Sequence, residues 1–139
     1  MAIQIQPYLN FDGSCAEAFR FYEKALGGKI VILQTIGESP MKDHLPPETH
    51  GRLMHVHLDV DGGAILGADA QPGQYTAPAS FSVSVQVPDL DRARRLFTAL
   101  GEGGHETMAF QKTFWSPGFG MLRDRFGIPW MVNCTQQQG

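Results

Sequence analysis

The strongest constraint on how this chain can fold is an order of elements that it runs through twice. Ile3, Ile5, Pro7, Leu9 and Phe11 alternate with Gln4, Gln6, Tyr8 and Asn10, a period of two that predicts a half-buried strand with Pro7 towards an edge. Asp12-Gly13 turns the chain, and Ser14 with Glu17 reads as a capping box at the start of a helix. That helix carries a stripe of Cys15, Ala18, Phe19, Tyr22 and Leu26 and stops at Gly27-Gly28. Ile30 to Ile36, Leu53 to Val60 and Ala64 to Ala68 read as three strands; a proline-containing loop separates the first two and the turn Asp61-Gly62-Gly63 joins the last two. A linker, Gln71 to Pro78, leads to a second round. Phe81, Val83, Val85 and Val87 alternate with Ser80, Ser82, Ser84 and Gln86, and Asp89 caps a helix striped by Leu90, Ala93, Phe97 and Leu100. Strand segments follow at His105 to Lys112, Phe119 to Arg123 and Ile128 to Cys134, and the tail from Gln136 reads as a frayed end. The helix ends even share letters, Ala25-Leu26-Gly27 and Ala99-Leu100-Gly101.

This order predicts an α+β chain of two tandem βαβββ modules, about 1–70 and 79–135, forming a curved mixed sheet that encloses a cup. At 139 residues it is expected to be a single domain, 1–139. An apolar share of 42% and a charged share of 18% are those of a globular protein and exclude the disordered classes. With a net charge of -3 and scattered basic residues, the chain shows no footprint for nucleic acid, and no apolar run is long enough for a membrane span. The N-terminus lacks a signal-peptide layout, so Cys15 and Cys134 are expected as reduced thiols in a cytoplasmic protein.

One helix per module covers one sheet face and leaves the other open. By strand parity the open face collects Gln6, Tyr8 and Asn10, then His55, His57 and Asp59, then Ser80, Ser82, Ser84 and Gln86, and finally Met131 and Asn133. Trp130 and Val132 point to the helix. A solvated face would recruit Lys and Glu. A polar, nearly uncharged face implies a ligand pocket instead.

Doubled βαβββ order resembles the vicinal-oxygen-chelate superfamily of glyoxalases, bleomycin-resistance proteins and extradiol dioxygenases. Pro7-Tyr8-Leu9-Asn10-Phe11-Asp12-Gly13, Glu17-Ala18-Phe19-Arg20-Phe21-Tyr22, Gly51-Arg52-Leu53-Met54-His55 and Leu66-Gly67-Ala68-Asp69 are similar to its PhnB-like branch. The most specific match is Asp124-Arg125-Phe126-Gly127-Ile128-Pro129-Trp130-Met131-Val132-Asn133-Cys134. The resemblance implies a small-molecule ligand and a homodimer. Some relatives carry a demethylubiquinone methyltransferase label, yet no glycine-rich nucleotide loop stands between a strand and a helix here.

Catalytic members hold a divalent metal as a Lewis acid, and the resemblance places its ligands on Gln6, near Leu66 with Asp69 beyond, on Ser82 and on Met131. Serine and methionine are poor ligands for such an ion, so no cofactor is expected. The expectation is a PhnB-like small-molecule-binding protein without the usual metal. The alternative is a metal-dependent isomerase, lyase or thiol transferase of the glyoxalase or fosfomycin-resistance type. His55 and His57, two apart on one strand, could share an ion with Asp59 or Asp69, or could transfer protons or bind an acidic ligand. Cys15 at a helix start reads as a reactive thiol or as a small buried side chain. Trp115 and Phe119 read as aromatic walls or loop packing; Arg123 is a candidate clamp for a carboxylate or phosphonate, Arg125 a surface residue. The candidate ligand-binding set is Gln6, Tyr8, His55, His57, Asp69, Ser82, Trp115, Arg123 and Met131.

Overall fold

A computed structural model describes residues 2–136 and divides the chain into two compact units, Met1–Thr76 and Ala77–Gly139. The part of the tail beyond residue 136 lies outside the described residues. Each unit is one βαβββ module, and the whole is α+β. The first holds β1 (Tyr8–Phe11), α1 (Cys15–Leu26), β2 (Lys29–Thr35), β3 (Leu53–Val60) and β4 (Gly63–Asp69), with three short 3-10 turns in the loop before β3. The second holds β5 (Val83–Val87), α2 (Leu90–Leu100), β6 (His105–Gln111), β7 (Phe119–Arg123) and β8 (Pro129–Cys134). The strands form two four-stranded mixed sheets, ordered β1-β4-β3-β2 and β5-β8-β7-β6. In each, the first strand runs parallel to the last and the other pairings are antiparallel.

The first strand is shorter than its alternation predicts. Ile3 and Ile5 are 88% and 93% exposed, and the ladder begins only where Leu66 donates its amide to the Pro7 carbonyl. Proline brings no N–H of its own, so pairing on that side of β1 starts after it. Likewise Ser80, with φ of 62°, and the half-exposed Phe81 lie before β5 rather than in it.

The core of each unit lies between its helix and its sheet. In the first, Cys15, Ala18, Phe19, Tyr22 and Leu26 of α1 are buried with Leu9, Phe11, Val56 and Leu58. A Cβ added at Gly67 would stand 2.6 Å from Phe19, so the bare backbone of β4 is what seats that ring. In the second, Ala93, Leu96, Phe97 and Leu100 are buried with Val83, Leu122, Trp130 and Val132, and Gly120 gives Phe97 the same close approach at 2.6 Å. Leu96 takes a place on the buried stripe, and Leu90 at the helix start is only partly covered.

Two buried carboxylates organise the turns. The Ser14 side chain makes no cap hydrogen bond to α1, contrary to the expected capping box. Asp69 caps that helix from the end of β4: its Oδ1 accepts the amides of Gly13 (2.8 Å) and Cys15 (3.0 Å), and its Oδ2 accepts that of Leu53 (2.8 Å). Arg52 binds the same corner through Asp12 (3.1 Å) and the Ala70 carbonyl (2.9 Å). In the second unit Asp124 accepts the amides of Phe126 and Ile128 on Oδ1 and the Trp130 indole N–H on Oδ2, at 2.8, 3.0 and 2.8 Å.

Candidate functional site

On each sheet, side chains that avoid the helix form short cross-strand rows. In the first unit, β1, β4, β3 and β2 bring Tyr8, Leu66, His57 and Ile32 side by side. His55 lies two residues from His57 on the same face, paired with Gln34, and its ring stacks with Tyr8 at 6.1 Å between centroids. His57 and Asp59 are joined by a 2.7 Å Nε2–Oδ1 contact. Tyr8 is 46% exposed, and partial burial holds its phenol above the ordinary value.

The second unit presents a different chemistry. Ser84, Met131, Met121 and Met108 lie in one row across β5, β8, β7 and β6. Two residues along, Gln86, Asn133, Phe119 and Gln111 form the next. Gln86 accepts from Asn133 Nδ2 at 2.8 Å and donates to the Ser84 hydroxyl at 2.6 Å, and Asn133 Oδ1 is buried without a hydrogen-bond partner among the described residues. At the other end, Arg123 stands between Pro129 and His105. Its Nη1 donates to the carbonyls of Gly127 (2.7 Å) and Pro78 (3.4 Å). A cleft of about 430 Å³ opens here, with Ser82, Met121, Arg123 and Met131 in its lining.

The expected residues therefore separate into groups. Tyr8, His55 and His57 gather on the helix-free face of the first sheet. Ser82, Arg123 and Met131 gather on that of the second. Gln6 lies before β1, its amide 3.5 Å from Gln4. Asp69, expected among the ligand-binding residues, is turned to the helix side, and its oxygens are taken by three backbone amides. Trp115, 55% exposed, packs edge-on against Phe114 and Phe119 in the turn before β7. Cys15 is fully buried, and that burial, with the Asp69 carboxylate adding to it, pushes its thiol far above the ordinary value. The thiolate reading of Cys15 fails for that reason. Met121 and Met108 were not expected, since an isolated methionine in a strand is indistinguishable from core in the sequence; only the register shows three thioethers abreast.

The donors do not suit a hard or borderline divalent ion. At the implied positions stand an amide, an aliphatic chain, a hydroxyl and a thioether, from Gln6, Leu66, Ser82 and Met131. Among the described residues no three His, Cys, Asp or Glu side chains converge to replace them.

Paired βαβββ modules are the fold of the vicinal-oxygen-chelate superfamily, and this chain shares it. Residues 3–133 match the family described as 3-demethylubiquinone-9 3-methyltransferase, and the chain belongs to that family, the PhnB-like branch. It is 31% identical to protein YjdN of Escherichia coli K12 across 96% of this chain and 97% of that one. It superposes on protein PA1353 of Pseudomonas aeruginosa with a TM-score of 0.89 at 41% identity, covering 98% of this chain and 100% of the other. The PhnB protein of Bacillus cereus shares the fold with a TM-score of 0.79 at 22% identity, covering 96% and 100%.

Proposed function

We propose that this PhnB-like protein binds a small organic molecule on the helix-free faces of its sheets and does so without the divalent metal used by catalytic members of the superfamily. The observation that carries this reading is the makeup of those faces. They hold tyrosine, imidazole, amide, hydroxyl and thioether groups and few charges, which is how pockets combine apolar contact with a few orienting polar groups. The unpartnered Asn133 Oδ1 adds an acceptor that a ligand hydroxyl or N–H would satisfy. The donor chemistry at Gln6, Leu66, Ser82 and Met131 argues against a Lewis-acid centre there. Methyl transfer, the activity in the family's description, finds no support in these groups, none of which forms a nucleotide-binding loop. A cytoplasmic homodimer completes the reading.

The test is direct. Purified protein is analysed for bound metal, titrated with Ni, Mn and Zn, and its co-purifying small molecules are identified by mass spectrometry. The expected outcome is a co-purifying organic compound and no stoichiometric metal. One equivalent of tightly held metal, lost in Gln6→Ala, would sink the metal-free reading and restore that of a metal-dependent isomerase, lyase or thiol transferase.

A further inference from the structure

Arg123 is held in a way that an ordinary surface arginine is not. Its Nη1 is tied to the carbonyls of Gly127 and Pro78, which fixes the plane of the guanidinium. Its Nε and Nη2 have no hydrogen-bond partner among the described residues, and no carboxylate of those residues pairs with it. The fork is thus oriented by the protein and its remaining donors are unspent. It stands in the 430 Å³ cleft with Phe81, Ser82, Thr107, Met121 and Met131. Of the residues lining that cleft, Arg123 alone carries a charge.

We propose that the cleft takes a small monocarboxylic acid with an apolar, preferably aromatic, body. The assignment rests on the ligand-binding reading above and names the chemical class of the ligand. A planar carboxylate matches the planar guanidinium through two parallel, charge-assisted hydrogen bonds. The body lies against Met121, Met131 and Phe81; thioethers make favourable contacts with ring edges and adapt to an irregular outline. The Ser82 hydroxyl is the neutral partner at the polar end. A second carboxylate would face methionine and phenylalanine unpaired, so dianions are disfavoured. A cleft of 430 Å³ falls within the roughly 300–1,000 Å³ usual for such ligands.

The experiment uses the full chain carrying ¹³C-methyl methionine, titrated with phenylacetate, its neutral analogue phenylacetamide and the dianion phenylmalonate. Phenylacetate should shift the Met121 and Met131 methyl signals saturably, with the amide and the dianion about tenfold or more weaker. Arg123→Gln should abolish the preference for acid over amide, and Arg123→Lys, which keeps the charge but not the fork, should retain part of it. Because Arg123 also binds two backbone carbonyls, the comparison of acid and amide on the unaltered protein stands even where a variant fails to fold. Equal affinity for acid and amide, or a folded Arg123→Gln that keeps the preference, overturns the assignment. A neutral compound that shifts the methionine methyls while phenylacetate does not overturns it too, and leaves the ligand-binding reading intact. Silence from every compound, with nothing co-purifying, overturns both.

Discussion

At the scale of single residues, the side chains that carry the family resemblance mostly build corners. Asp124 opens the C-terminal signature, and its carboxylate gathers two backbone amides and the Trp130 indole. An Asn side chain keeps one acceptor oxygen and replaces the other with an NH₂ where three N–H groups converge, so at least one N–H must face that NH₂. Asp124→Asn is expected to lower stability by about 2–4 kcal/mol in urea denaturation, with the sheet retained at low denaturant. Cys15 gives a prediction of a different kind. Its thiol is raised by burial and by Asp69, so the folded protein keeps the proton at pH values where the unfolded chain loses it. The contribution to stability is complete below the unfolded thiol pKa of about 8.5 and declines above it, at up to about 1.4 kcal/mol per pH unit. Stability measured from pH 7 to 10 should fall more steeply for the natural protein than for Cys15→Ala, and a thiol reagent should spare Cys15 until the protein unfolds. Matching slopes would contradict the burial argument.

At the scale of elements, strand parity makes the testable claim. His55 lies on the helix-free face beside Tyr8, so His55→Ala is expected to weaken a ligand held there by about 1–3 kcal/mol in calorimetry while the thermal midpoint stays nearly unchanged. A loss of fold would mean that the side chain supports the core. Parity was legible because a helix on one face forces alternation: Leu9, Phe11, Val56, Leu58, Trp130 and Val132 are all buried as their spacing requires. Most element bounds followed from turn residues, as at Asp61-Gly62, where a two-residue turn joins β3 to β4. Three features were not legible. Ile3 and Ile5 have the alternation of a strand but no ladder to join, because alternation reports a pattern and not the presence of a partner. Asp69 reads as a candidate ligand-binding acid until the fold brings it to amides 16 to 56 residues away in sequence. The row of Met131, Met121 and Met108 depends on strand order and register, which spacing along one strand does not contain.

At the scale of the whole molecule, association is the property most open to measurement. Each sheet ends in edge strands of its own pairing order, β1 and β2 in one and β5 and β6 in the other. Apolar side chains stand fully in solvent beside them, Ile3 and Ile5 ahead of β1 and Phe114 at 95% exposure. Exposed apolar side chains next to edge strands favour pairing with a second copy. Sedimentation velocity at tens of micromolar is expected to give a dimer, and Ile3→Ser with Ile5→Ser is expected to shift it towards monomer. A clean monomer for the natural chain would count against the assembly. Among the described residues no helix is long and apolar enough to cross a membrane.

Every strand of each sheet finds its hydrogen-bonding neighbours inside its own half of the chain. The backbone ladder of one half therefore places no demand on the outward side chains of the other. A substitution among the outward side chains of one half leaves the backbone pairing of the other as it is. Here the outward face of the first half carries histidine and tyrosine, and that of the second methionine, serine and the tethered Arg123. The chemistry of one outward face can therefore change while the hydrogen-bonded framework of both halves stays in place.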